Sequence, residues 1–169
     1  DWLFPVCSPE FARKYALNTT QVKAIETYFP DDDKNGKMTK EDIAGTAYVA
    51  TGKDPDTGKT TPLGAVFLVD ATGPHGKMEM GVAIDPKGKL LAVRVFEHKE
   101  GKVLDDKEFL KQFVEKSLKD KLRVGEDIEA KPEGATAAQA VATNAKKMLL
   151  TLQAAFGKGV KPASEADDA

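Results

Sequence analysis

Residues 63–97 constrain the fold most, because three β-forming runs are packed there between turn signals. Residues 63–70, 78–84 and 90–97 are rich in Val, Leu, Ile and Phe. Gly73-Pro74-His75-Gly76 separates the first two, and Asp85-Pro86-Lys87-Gly88 separates the last two. Glycine opens the positive-φ conformations of tight turns and proline presets φ, so both spacers read as turns, the second as a hairpin. A shorter run at 46–50 precedes a further turn at Asp54-Pro55-Asp56-Thr57-Gly58. Three stretches carry helical spacing instead. Val22, Ile25 and Phe29 recur over 19–29 behind the caps of Asn18-Thr19-Thr20, and Pro30 closes that helix. Phe109, Leu110, Phe113, Val114 and Leu118 form a stripe over 105–118, and Val141, Ala145, Met148, Leu149 and Leu152 another over 136–156. The order of elements predicts an α+β fold, an antiparallel sheet with flanking helices, in one domain over 1–156 followed by a flexible tail at 157–169.

At 169 residues and 41% hydrophobic content the chain has enough apolar material for one buried core. A net charge of −2 with interspersed signs provides no electrostatic basis for nucleic-acid binding. No apolar run approaches the roughly 18 residues of a membrane span. Cys7 is the single cysteine, which excludes an internal disulfide and a thiolate metal cluster; it reads as an unreactive residue. There is no HExxH, no GxGxxG and no Ser-His-Asp order, so no residue is assigned a catalytic role.

Two segments carry ligand chemistry. Gly134-Ala135-Thr136 stands at the start of the last helical pattern. Free N–H groups and the positive end of the helix dipole meet at such a point, which suits a phosphate. The Thr136 hydroxyl either caps the helix or is itself esterified to phosphate. The second segment runs from Asp31 to Asp42 and follows most of a calcium-loop pattern. Asp31, Asp33 and Asn35 take positions one, three and five, Gly36 the turn, the Lys37 carbonyl position seven and Asp42 position twelve. The alternative is an acidic loop followed by a helix capped at Thr39.

The order and spacing of these pieces over 4–152 resemble the FMN-binding domain family, which includes flavin-bearing components of the sodium-translocating NADH:quinone reductase and of the related ferredoxin-oxidising complex. The resemblance rests on Phe4-Pro5, the 17–22 helix start, the glycine-punctuated strands, Phe96-Glu97-His98-Lys99-Glu100, Phe109-Leu110-Lys111-Gln112-Phe113 and Gly134-Ala135-Thr136. It implies FMN joined through a phosphoester to Thr136, with Gly134, Ala135 and Ala137 around the attachment point. His98 and Glu100 would lie against the flavin. Glu133 stands where the family has Ser or Thr, and Gly101 replaces the Thr of its His-x-Glu-Thr segment. The resemblance further implies an electron carrier rather than a substrate-turning enzyme. It implies a flavin transferase for maturation, a redox protein or membrane electron-transfer complex as partner, and export to the periplasm or another extracytoplasmic space behind an N-terminal anchor. The alternative function is a flavin-free calcium-binding or interaction module on a degenerate copy of the same fold.

Overall fold

The structure is a computed structural model and describes residues 8–53 and 55–166. Phe4-Pro5 and Cys7 lie outside the described residues. Five strands form one antiparallel sheet in chain order: β1 (Ser8–Ala16), β2 (Ala44–Lys53), β3 (Thr60–Gly73), β4 (Gly76–Ile84) and β5 (Leu90–Glu97). Both expected turns close hairpins. Gly73 pairs with Gly76 across a two-residue turn, and Gly76 needs its positive φ of 131°. In the second turn Asp85 Oδ1 accepts the N–H groups of Lys87 and Lys89 at 2.8 and 2.9 Å.

One face of the sheet presents Phe67, Val69, Met78, Met80, Val82 and Val95, all buried. The 22-residue helix α4 (Ala135–Phe156) packs across this face and is buried along most of its circumference. Its alanines explain how it packs so closely. Ala138, Ala142 and Ala145 are fully buried and hold the backbone near the strands, while Val141, Met148 and Leu149 fill the space between. Helix α1 (Thr19–Glu26), capped by Asn18, covers another side of α4 and forms a smaller cluster through Ile25, Leu17 and Leu150.

Four differences from the sequence reading have physical causes. Strand β1 has little apolar alternation, with Arg13 and Lys14 exposed, because among the described residues it is an edge strand paired with β2 alone. Strands β2 and β3 extend beyond their apolar centres because the ladder satisfies polar residues such as Thr51 and Thr61 as readily as valines. The stripe at 105–118 is helical only over α3 (Lys107–Lys111). Glu115 then adopts φ 72°, and its N–H and the Lys116 carbonyl bond to Leu90, so the chain leaves the helix to pair at the start of β5; Phe109 and Phe113 remain buried. The tail is tied down through its described part. Val160 N–H donates to Gln21, Tyr28 O–H to the Lys161 carbonyl at 2.9 Å, and the N–H of Ala163, first residue of the short α5 (Ala163–Ala166), to Thr27.

Candidate functional site

Helix α4 begins where the sequence reading put it, but Thr136 is not its cap. A 3₁₀ turn at Pro132–Gly134 leads in, Gly134 is the cap residue, and no side chain bonds to the first-turn N–H groups. Thr136 is the second helical residue. It is exposed, and its hydroxyl makes no hydrogen bond to another described residue. Ala135 is half-buried and Ala137 buried beneath it. Gly134 is required sterically: a Cβ there would lie 2.5 Å from a methyl of Val103.

Val103 belongs to the segment just past β5 that holds His98 and Glu100. The Glu100 carboxylate is only 2% exposed. It lies 2.7 Å from His75 Nδ1 and accepts the His75 backbone N–H at 2.8 Å. Gly73 makes room for it, since a Cβ at that position would meet Glu100 Oε2 at 2.6 Å. Burial is the largest single influence on Glu100 and pushes its carboxyl upward. The two hydrogen bonds that His75 makes to it, with the charge of His75, overcome this and leave it below the usual carboxylate value. Glu100 in turn fixes His98: its N–H donates to His98 Nδ1 at 3.1 Å. The hydrogen-bond network therefore assigns the ring proton to Nε2, which faces Asp105 Oδ1 at 2.8 Å.

The two segments meet at Val103 and Gly134 and together line a cleft of about 1020 Å³, with Glu100, Gly101 and Val103 from one and Ala130, Glu133 and Gly134 from the other. Thr136 and His98 are not in its lining; the first lies on the helix turn beyond Gly134, the second behind Glu100 and Asp105. The lining is acidic. Glu100, Asp105, Asp106, Glu108, Glu129 and Glu133 face Lys102 and Lys131.

The ligands expected of the calcium loop do not converge on one point. Asp42 and the Lys37 carbonyl converge on a cation the chain supplies itself, the ammonium of Lys147 on α4. Nζ lies 2.7 Å from Asp42 Oδ2 and donates to Lys37 O at 3.1 Å, and both side chains of the pair are buried. The other expected ligands are engaged elsewhere. Asp33 accepts the Asn35 N–H and the Thr143 hydroxyl, Asn35 bonds to Thr72 and Asn144, and Asp31 stays exposed. Asp42 also completes a capping box with Thr39, so the helix-cap reading of this stretch holds, in helix α2 (Lys40–Ile43). No group of three or more His, Cys, Asp or Glu arranged for a metal occurs among the described residues.

Sequence reasoning missed His75 and the polar stripe of α4. Thr143, Asn144, Lys147 and Thr151 are all buried and follow helical spacing within an Ala-rich run, which is the one signal that a polar partner had to pack there. A more apolar cavity, of about 540 Å³, lies at the opposite end of α4, away from Gly134.

No protein-family profile matches the chain, and no curated protein matches it by sequence. Among solved structures the chain is similar to NqrC of Shewanella oneidensis. The TM-score is 0.51 at 18% identity, over 87% of this chain and 80% of that one. This likeness establishes an NqrC-like fold, a five-stranded antiparallel sheet with flanking helices.

Proposed function

We propose that this chain is an electron-transfer domain carrying FMN on Thr136. The observation that carries the reading is the convergence of the Gly134 and Glu100 segments on one cleft at the start of α4, in a fold shared with NqrC. The residues present fit the group. A solvent-facing hydroxyl stands beside first-turn N–H groups that no side chain caps, and the cleft is large enough for a ring system. When bound, the flavin supplies the redox chemistry. The chain's own residues bind and orient. Thr136 Oγ1 holds the phosphate, and the first-turn N–H groups with the helix dipole stabilise its charge by up to about 2 kcal/mol. Lys102 and Lys131 offset part of the carboxylate field of the cleft. The His75–Glu100–His98–Asp105 chain of hydrogen bonds holds the wall beneath Val103 in one arrangement.

On this reading the domain is matured by a flavin transferase, works outside the cytoplasm and exchanges electrons with a membrane redox complex. Co-expression with a flavin transferase followed by intact mass and visible absorbance tests it. An FMN adduct that is lost in Thr136→Ala supports the proposal; an unmodified mass with no flavin absorbance rejects it. Glu133 and the acidic lining favour one second reading, a flavin-free interaction module. The variant Glu133→Ser separates the two, because restored incorporation, strongest at low ionic strength, identifies a carrier whose site is weakened by charge.

A further inference from the structure

The far end of α4 holds a cavity that the flavin reading does not use. It opens between the inner face of the sheet and the last turns of the helix. Val49, Ala65 and Ile84 line it from the strands, and Leu149, Leu152 and Phe156 from α4. Its volume of about 540 Å³ falls in the range of small-molecule sites and far exceeds the voids that close-packed interiors tolerate. Phe156 stands at the mouth, 48% exposed and held edge-on against Tyr15 at 6.0 Å.

The charged part of the lining is mostly cationic. Arg13, Lys87 and Lys119 border the cavity, against a single carboxylate, Asp85. Asp85 is committed to its own hairpin through the N–H groups of Lys87 and Lys89. The side chains of Lys87 and Lys119 form no ion pair with another described residue, and both are exposed. This cationic rim belongs to a chain whose net charge is −2.

We infer that this cavity binds an amphipathic carboxylate, its alkyl chain against Val49, Ala65, Leu149 and Leu152 and its head group on Lys87 and Lys119. Burial of the chain supplies the affinity and the rim selects the charge. The carbonyl end of α4 disfavours an anion beside the helix terminus, which places the head group on the hairpin side of the mouth. Since α4 is roughly 33 Å long, the site is remote from Thr136, and it does not depend on whether flavin is bound.

Calorimetric titration of the full chain with decanoate, decanol and decyltrimethylammonium tests the assignment. Decanoate should bind saturably below its micelle concentration, about tenfold tighter than decanol, with the cation weakest. K87E/K119E should erase the advantage of decanoate while leaving decanol within about twofold. L152W, which puts an indole into the apolar part of the cavity, should weaken binding of both. Equal affinity for decanoate and decanol, decanoate binding unchanged in K87E/K119E, or no saturable decanoate binding would each overturn the inference. The surface lysine variant is expected to fold even if L152W does not, so the charge arm decides independently.

Discussion

Replacing Lys147 with Met is the sharpest test of how loop 31–42 is held. The two side chains have similar volume, so the cavity contribution is small and the electrostatic one dominates. In the native structure the ammonium and the Asp42 carboxylate are 2% and 4% exposed, and they lie 2.7 Å apart. Without Lys147, Asp42 keeps only the Thr39 N–H at 3.0 Å as a partner from the capping box, and the Lys37 carbonyl loses its donor. A buried charge stripped of its counter-ion costs about 3–5 kcal/mol, a large share of the 5–15 kcal/mol that typically stabilises a domain. The corresponding drop in Tm is on the order of 10 °C for a chain of this size. K147M/D42N removes both charges yet keeps an acceptor for Thr39, so it should lose only about 1–2 kcal/mol and be more stable than K147M alone. Urea denaturation of the four proteins of this cycle gives the coupling energy directly. If K147M costs under about 1 kcal/mol, or adds to D42N without coupling, the ammonium does not organise the loop. The same argument predicts that millimolar calcium and chelator leave the wild-type melting curve unchanged, since Lys147 already engages Asp42 and the Lys37 carbonyl.

Thr136→Ala should change stability by less than about 0.5 kcal/mol, because the hydroxyl caps nothing, while removing any flavin adduct seen by intact mass. Gly134→Ala drives a Cβ into Val103 and should cost about 1–3 kcal/mol in denaturation while reducing flavin loading, because the helix start must shift to relieve the contact. Phe113→Ala, at a fully buried position, should cost about 3–5 kcal/mol by the same assay. Acid should destabilise the fold in a defined window. The Glu100 carboxyl is lowered from 4.5, so its contribution is complete above that pH and is lost as pH falls toward the lower folded value. Asp127 behaves likewise from 3.8: burial pushes it up, and the N–H groups of Arg123 and Leu122 more than compensate. The slope of stability against pH below 4.5 should therefore flatten in Glu100→Gln; an unchanged slope would show that the His75 contacts do not hold Glu100 ionised.

The sheet and its central helix were legible in the amino-acid sequence because their signals are local. Gly73-Pro74-His75-Gly76 and Asp85-Pro86-Lys87-Gly88 set both hairpins by their own backbone preferences, and β5 runs over 90–97 as its apolar content required. Helix α4 and the glycine before it were readable for the same reason. What failed depended on distant partners. Strand β1 has no pattern of its own and exists because β2 offers it a ladder. The helical stripe after α3 yields to Leu90, whose backbone groups are better satisfied by residues 115 and 116. The calcium-like spacing of Asp31–Asp42 is real, but spacing cannot say which cation fills it, and Lys147 lies 105 positions beyond Asp42 in the chain. The cleft was half legible. Gly134 and Glu100 could each be singled out, but their meeting at Val103, the placement of Thr136 beyond the cap position that Gly134 takes, and the acidity of the shared walls arise only when the strands and α4 pack. Turn and helix propensities act within a few residues, whereas the charge field of a site is summed over every segment that folding brings to it.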